Sequence, residues 1–158
     1  MRILSIIDED FNNYKLPSMF IGTIQCSGKC CIESNIPLSI CHNDKWRNKT
    51  PINISDEEII NRYLSNNLTS AIVFGGLEPF EQWDELKSFI DLFRSKCNHD
   101  LVIYTGYNKN EILDYVNELK SYDNIIIKFG RYIPNMSNRY DEILGVTLAS
   151  DNQYAERI

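Results

Sequence analysis

Three short apolar runs, each bounded by polar residues, recur along the chain from residue 71 onward. They lie at residues 71–74, 101–104 and 124–128. Runs of this length are typical of strands that are buried on both faces, as in a parallel sheet. We therefore predict a buried parallel strand at each of the three positions.

Helical patterns fill the intervals between these runs. Ser55 and Glu58 have the spacing of a capping box ahead of an apolar helical pattern, and Asn108 and Glu111 repeat that spacing before the last run. Between the first two runs, large apolar side chains recur every three or four residues. They are Phe80, Trp83, Leu86, Phe89, Ile90 and Phe93. We interpret this stripe as a helix face that packs against the sheet, and not as an aromatic binding site.

The alternation of strands and helices predicts an α/β fold with right-handed crossovers and a mainly parallel sheet. Residues 4–7 and 19–25 are candidate strands in front of the alternation, and residues 143–148 are a candidate strand behind it. No repeat, low-complexity tract or flexible linker divides the chain, so we predict one domain over residues 1–158. Ligand sites in such folds collect at the carboxyl ends of strands.

Composition and charge exclude several classes of function. The hydrophobic share is 43%, which suffices for a core without disulfide staples. The net charge is −6 and the basic residues are scattered, so we expect no nucleic-acid partner. The sequence shows no leader pattern and no apolar stretch near the roughly 20 residues that span a bilayer. We therefore expect a cytoplasmic protein that makes no membrane contact.

Four of the five cysteines lie in one loop, directly after residues 19–25. They are Cys26, Cys30, Cys31 and Cys41. In a reducing cytoplasm, clustered cysteines indicate metal binding or catalysis more often than disulfides. A tetrahedral zinc site, with His42 in place of one thiolate, and an iron–sulfur cluster are both compatible with this set. Because Cys30 and Cys31 are adjacent, they cannot easily face one ion, which leaves three thiolates and one open iron in a four-iron cube.

The cysteine motif resembles that of radical S-adenosylmethionine enzymes. Cys26-Ser27-Gly28-Lys29-Cys30, followed by Cys41-His42-Asn43, is similar to the C-x3-C-x2-C motif of anaerobic ribonucleotide reductase activating proteins. Three later segments resemble the same family, in the family's own order, and fall where strands are predicted to end. They are Gly75-Gly76-Leu77-Glu78-Pro79, Tyr104-Thr105-Gly106-Tyr107 and Ala149-Ser150-Asp151-Asn152-Gln153. The resemblance extends from residue 19 to the end of the chain.

This resemblance implies a shortened partial (β/α) barrel that binds a [4Fe-4S] cluster and S-adenosylmethionine. It implies Cys26, Cys30 and Cys41 as the three thiolate ligands, with the cofactor's amino and carboxylate groups on the fourth iron. One electron would then cleave the sulfonium to methionine and a 5′-deoxyadenosyl radical. The residues expected to contact the cofactor are Ile40, Gly75, Gly76, Glu78, Thr105, Lys128, Asn152 and Gln153. Ile40 is expected near the adenine, and Glu78 is expected to accept from the methionyl ammonium.

The chain departs from that family's pattern in three places. Ten residues separate Cys30 from Cys41 where the family has two, and the role of Cys31 stays open. Leu77 stands at the position of a glycine, and residues 129–132 lack the acidic group that activating proteins usually carry there. These departures leave the substrate more open than the cofactor.

Three functions stay open on the sequence. The first is an oxidoreductase of the activating-enzyme type, which passes the radical to a glycine of a large glycyl radical enzyme and takes its electron from a flavodoxin or ferredoxin. The second is a radical enzyme that acts on a small molecule or a peptide, which the enlarged cysteine loop and Leu77 favour. The third is a non-enzymatic binding module with a structural zinc or iron–sulfur site.

Overall fold

Strands and helices alternate along the chain in a computed structural model that describes residues 1–41 and 43–158. The strands are β1 (Arg2–Ile3), β2 (Ser5–Asp10), β3 (Ser18–Thr23), β4 (Ile52–Asn53), β5 (Ala71–Gly76), β6 (Asp100–Tyr104), β7 (Ile125–Phe129), β8 (Arg139–Asp141), β9 (Val146–Leu148) and β10 (Tyr154–Arg157). The helices are α1 (Lys29–Glu33), α2 (Asp56–Leu64), α3 (Trp83–Lys96) and α4 (Leu113–Leu119). Short 3-10 turns lie at Leu38–Ile40, Asp44–Trp46, Pro79–Gln82 and Lys109–Ile112.

Six of the strands form one mixed sheet in the order β10-β7-β6-β5-β3-β2. The four inner strands are parallel, and the edge strands β2 and β10 are antiparallel to their neighbours. Met19 lies beside Ile72, and Ile72 lies beside Leu101, so the inner strands run in a continuous register. The predicted α/β class with parallel inner strands is confirmed, in the form of a six-stranded mixed sheet.

The predicted caps and burial patterns explain the main elements. The Ser55 hydroxyl accepts a hydrogen bond of 3.1 Å from the Glu58 backbone N–H at the start of α2. The Glu111 carboxylate accepts one of 2.8 Å from the Asn108 backbone N–H, as a capping box requires. All residues of β7 are buried, and β5 and β6 are buried except at Gly76, Asp100 and Tyr104, which lie at strand ends. The strands that were predicted to be buried on both faces are confirmed.

The two faces of the sheet are covered differently. Apolar side chains of α2, α3 and α4 pack on one face against Ile72, Leu101 and Ile125. Phe80 precedes α3 in a 3-10 turn and belongs to the same core, so the predicted packing role of the aromatic stripe is confirmed. On the opposite face, the side chains of Val73, Val102 and Ile126 meet side chains from the end of the chain. Those partners are Leu144, Leu148 and Ala155.

The end of the chain differs from the prediction. The strand expected at residues 143–148 is the shorter β9, which pairs with β8 in a separate hairpin and does not join the main sheet. The Asp141 carboxylate accepts from the backbone N–H groups of Leu144 and Ala155, at 2.9 and 2.8 Å, and so ties this hairpin to β10. The sheet edge is formed by β10 instead, because an antiparallel neighbour of β7 needs no helical crossover.

Residues 4–7 and 19–25 form strands with shifted bounds, as β2 and β3. The small antiparallel pair of β1 and β4 was not predicted, because two residues carry no periodic signal. No helix in the described part of the chain has the length and apolar character needed to cross a membrane.

Candidate metal centre

A cavity of about 580 Å³ opens at the carboxyl ends of the parallel strands, on the face of the sheet opposite α2, α3 and α4. Most of the residues predicted from the sequence line it. They are Cys26, Cys30, Cys41, Gly75, Gly76, Glu78, Thr105, Lys128 and Gln153. The cavity therefore brings together the cysteine loop, the ends of β5, β6 and β7, and the segment before β10.

Two of the predicted cofactor residues do not line this cavity. Ile40 ends a 3-10 turn, and its side chain is 44% exposed. Asn152 donates from its side-chain amide to the Arg131 carbonyl oxygen at 2.8 Å, and so holds the turn before β10. Contact of either residue with a cofactor remains a prediction, since neither side chain lines the cavity. His42, the alternative zinc ligand, lies outside the described residues.

The four cysteines of the loop border the cavity together. Cys30 and Cys31 belong to the short helix α1, and Cys41 follows the turn that ends at Ile40. Burial raises the pKa of the Cys31 thiol, and the neighbouring Cys41 adds to the rise. Both adjacent cysteines line the cavity, and the prediction that they do not face one ion together stays a prediction.

Burial dominates the electrostatics of these thiols. It raises the pKa of Cys30 to about 11, and the neighbouring Cys31 adds to the effect. Burial also raises the pKa of Cys26, although a backbone N–H from Gly28 and the charge of Arg47 act in the opposite direction. These thiols stay protonated at neutral pH until a metal displaces their protons, which makes metal binding by the loop dependent on pH.

Arg47 lies against the first cysteine of the loop. Its Nη1 donates to the Cys26 carbonyl oxygen at 2.8 Å, and its Nη2 donates to the Cys26 Sγ at 3.4 Å. The preceding residue, Trp46, rests on β3, where a Cβ on Gly22 would lie 2.7 Å from its ring. Sequence reasoning missed Arg47, because nothing in the pattern distinguishes it from other charged residues of a polar loop.

Glu78 is a buried carboxylate that accepts hydrogen bonds from three protein donors. Its Oε1 accepts from the Thr105 hydroxyl at 2.7 Å and from the Phe80 backbone N–H at 3.2 Å. Its Oε2 accepts from the Gly106 backbone N–H at 2.9 Å. Burial raises the pKa of Glu78 to about 7, and these three hydrogen bonds limit the rise. Glu78 therefore joins the loops after β5 and β6 at the floor of the cavity.

Lys128 is the buried cation of the same cavity. Its Nζ donates to the Gly130 carbonyl oxygen at 2.9 Å and lies 3.5 Å from the Thr105 carbonyl oxygen. Burial lowers the pKa of Lys128 to about 8, and the charge of Glu78 partly offsets that decrease. The cavity thus places the buried carboxylate of Glu78 and the buried ammonium of Lys128 beside the cysteines, and the buried Asp10 also lines it.

A comparison with protein families identifies the cysteine loop. The family described as "4Fe-4S single cluster domain" matches residues 25–153. The chain belongs to this 4Fe-4S family. No curated protein and no solved structure matches it. The matched span contains all four loop cysteines and ends at Gln153, so the prediction of a [4Fe-4S] cluster is confirmed at the level of the family.

The described residues form no closed site for a single metal ion. Among residues 1–41 and 43–158, no group of three or more His, Cys, Asp or Glu side chains is placed to hold one metal ion. The described residues therefore do not form the closed zinc site that the sequence left open. In a four-iron cube each thiolate binds a different iron, so the sulfur atoms stand farther apart than around one ion. The set of cysteines around a shared cavity fits this 4Fe-4S chemistry.

Two sets of contacts anchor the cysteine loop to the rest of the fold. Glu81 accepts from the backbone N–H and the hydroxyl of Ser27, both at 2.6 Å. Arg131 donates to the Glu111 carboxylate at 2.6 and 2.7 Å, and also pairs with Glu33 of α1. The sequence identified residues 129–132 as lacking an acidic group. The structure shows what the arginine does there: it holds the enlarged part of the loop.

The glycine pair at the end of β5 is required by the sheet itself. Gly76 has a φ of +84°, and a Cβ there would lie 3.2 Å from the Cα of Gly22 on β3. The close approach of two backbones therefore explains this glycine without a ligand. Leu77, which replaces a glycine of the related motif, is 8% exposed and lines the cavity of the 4Fe-4S site.

Proposed function

We propose that this 4Fe-4S protein is a radical S-adenosylmethionine enzyme, and that it is an activase of a glycyl radical enzyme. One observation carries the proposal. The cysteine cavity also contains the buried carboxylate of Glu78 and the buried ammonium of Lys128. A site that only stores a cluster has no need of two buried ionisable groups of opposite charge, because such groups are costly to bury.

The three thiolate ligands in this proposal are Cys26, Cys30 and Cys41. This choice keeps the first spacing of the related motif, and the cavity lining supports it. Cys31 is the alternative to Cys30, since its thiol lies beside that of Cys41. Three ligands leave one iron available to a cofactor.

The opposite charges of the cavity match the α-amino acid end of S-adenosylmethionine. The ionised Glu78 carboxylate has about four acceptor positions, and protein donors occupy three of them. Lys128 has three donors, and its strong bond goes to Gly130. In the proposed function Glu78 accepts from the methionyl ammonium, and Lys128 donates to the carboxylate.

When bound, the reduced cluster supplies the electron that splits the sulfonium of S-adenosylmethionine into methionine and a 5′-deoxyadenosyl radical. The protein orients the cofactor through Glu78 and Lys128. Thr105 keeps the Glu78 carboxylate fixed in the floor of the cavity, and Leu77 limits the entry of water along one wall.

The architecture supports a protein substrate. Helices α2, α3 and α4 cover one face of the sheet, which is consistent with a shortened (β/α) barrel. The edge strand β2 leaves Ile7 46% exposed at the cavity, and Phe11 beyond it is 64% exposed. In the proposed function a glycine-bearing segment of a large glycyl radical enzyme enters at this side. A flavodoxin or ferredoxin supplies the electron.

The test is anaerobic reconstitution followed by incubation with S-adenosylmethionine and a reductant. We expect about four irons and four sulfides per chain, together with methionine and 5′-deoxyadenosine. With an anaerobic ribonucleotide reductase as partner, we expect a doublet glycyl radical signal by electron paramagnetic resonance. C97A is the matched control for C26A, C30A and C41A, because Cys97 lies outside the loop.

A radical enzyme for a small molecule or peptide is the second candidate. The observation in its favour is Leu77, whose side chain lines the cavity and changes its shape. Cofactor cleavage without a radical on any candidate partner, together with a metabolite retained in native mass spectrometry, would favour this function. Zinc at one atom per chain in colourless anaerobic protein would contradict both radical functions.

A further inference from the structure

We infer that Arg47 raises the reduction potential of the cluster and fixes its first ligand. The inference rests on the proposed function, because it takes Cys26 to be a ligand of the cluster. Arg47 is a positioning residue in this role, since it acts on the cluster through Cys26 and touches no substrate. Arg47 lies outside the cysteine motif, and in this inference it sets how readily the cluster accepts an electron.

The geometry places two donors of one guanidinium on one cysteine. Nη1 of Arg47 donates to the Cys26 carbonyl oxygen at 2.8 Å, and Nη2 donates to the Cys26 Sγ at 3.4 Å. A third donor, the Gly28 backbone N–H, also lies 3.4 Å from this sulfur. The Cys26 sulfur therefore has two N–H donors before any metal binds.

The surroundings hold the guanidinium in this position. The Arg47 side chain is only 19% exposed, and its Nε lies 3.6 Å from the Asp44 carboxylate. Gly28 has a φ of +77°, and a Cβ there would lie 3.4 Å from Nη2 of Arg47. The same Cβ would lie 2.6 Å from Leu38 Cδ2, so the glycine lets Leu38 pack closely beside the guanidinium.

The sign of the effect follows from charge. Reduction adds one electron to the cluster, so the reduced form is more negative than the oxidised form. A fixed cation and N–H donors at a ligand sulfur stabilise the more negative form more strongly, which raises the reduction potential. A planar guanidinium donates to the sulfur and the carbonyl at once, whereas a lysine ammonium at the end of a flexible chain does not hold both.

The experiment measures the midpoint potential of the reconstituted cluster in the full-length chain. Wild type, R47K and R47Q are titrated anaerobically with dithionite in the presence of mediators, and the reduced cluster is followed by electron paramagnetic resonance. R139A is the matched control, because Arg139 is an exposed arginine on β8 that does not belong to the cysteine loop or line the cavity. Circular dichroism and iron content verify that each variant is folded and loaded.

We expect R47Q to lower the ratio of reduced to oxidised cluster about tenfold at fixed potential, which corresponds to a shift of about 59 mV to more negative values. R47K should fall between R47Q and wild type, and R139A should match wild type. Equal potentials in wild type and R47Q would overturn the inference. If R47Q fails to assemble a cluster, the potential of R47K decides, and an unchanged value there would overturn it.

A further variant separates this inference from the proposed function. A cluster that persists in C26A contradicts the ligand set, and with it the role of Arg47. A cluster that is lost in C26A but keeps its potential in R47Q contradicts the role of Arg47 alone.

Discussion

The hydroxyl of Thr105 donates a hydrogen bond of 2.7 Å to the buried carboxylate of Glu78. The same hydroxyl accepts from the Tyr107 backbone N–H at 3.0 Å. The Thr105 side chain therefore joins the loop that follows β5 to the loop that follows β6. Both loops line the cavity.

Replacing Thr105 by Val should destabilise the protein by about 1.5–3 kcal/mol. The substitution keeps the shape of the side chain but removes a hydrogen bond to a charged group, and bonds of that kind contribute about this much. Urea unfolding of the metal-free chain measures the loss. T105S keeps the hydroxyl and is the control, so equal stability of the two variants would contradict the role assigned to Thr105.

The unfolding free energy should depend on pH through Glu78. Its pKa is raised from 4.5 to about 7 in the folded protein, so the folded state holds this proton more tightly than the unfolded state. The contribution of Glu78 to stability is therefore present at low pH and is lost as the pH rises from about 5 to about 7. The shift corresponds to about 3 kcal/mol at most.

The comparison of wild type with E78Q isolates this effect, because the other titratable groups are common to both. We expect the difference in unfolding free energy between the two proteins to change over this pH interval in the metal-free chain. A difference that stays constant from pH 4 to pH 8 would contradict a raised pKa at Glu78.

Replacing Cys31 by Ala should leave the cluster in place. The proposed ligands are Cys26, Cys30 and Cys41, and the thiol of Cys31 lies beside two of them without being needed. Iron and sulfide analysis after anaerobic reconstitution is the measurement, with C97A as the control. Loss of the cluster in C31A and its retention in C30A would show that Cys31, and not Cys30, is the ligand.

Replacing Arg131 by Ala should make the cluster easier to extract. Arg131 pairs with Glu111 and Glu33, and its loss weakens the attachment of α1, which then depends on the ion pair between Lys29 and Glu111. We expect faster bleaching of the cluster by a chelator and a loss of stability of about 1.5–3 kcal/mol. R131K retains the charge without the paired hydrogen bonds, so its bleaching rate should lie between those of R131A and wild type. An unchanged bleaching rate in R131A would show that the loop is held elsewhere.

Replacing Gly76 by Ala should cost about 1–3 kcal/mol, because a Cβ there meets the backbone of β3 and the φ of +84° is unfavourable for alanine. Gly106 provides the matched control. A Cβ at Gly106 would lie 3.6 Å or more from its neighbours, which is ordinary contact. Thermal unfolding of G76A and G106A compares the two, and similar melting temperatures would contradict the strain argument.

Local rules predicted the parts of the fold that depend on local physics. The Ser55 cap and the Asn108–Glu111 capping box form because one side chain satisfies a nearby backbone group. The buried strands follow from continuous apolar runs. By contrast, the antiparallel edge β10 pairs with β7 and is tied to the hairpin by the Asp141 carboxylate, which accepts from the Ala155 backbone N–H. Such a contact between distant residues leaves no periodic pattern in the sequence.

The residues of the cavity could be predicted where they follow the ends of strands, and less well within the cysteine loop. Glu78, Thr105 and Lys128 follow from the rule that ligands bind at the carboxyl ends of strands. Ile40 was placed by analogy with a shorter loop, and in the longer loop it faces outward. Arg47 and Arg131 contact residues that are distant in the sequence, so these contacts could be found only in the three-dimensional structure.

The bond between Arg47 and the Cys26 carbonyl oxygen brings the far end of the cysteine segment back to its beginning. The cysteine segment is therefore a loop whose two ends are held against each other and against β3. Lengthening a closed loop costs only about 0.6 kcal/mol of closure entropy for each doubling of its length. Evolution can therefore lengthen the stretch between Cys30 and Cys41 while the metal-binding end keeps its shape.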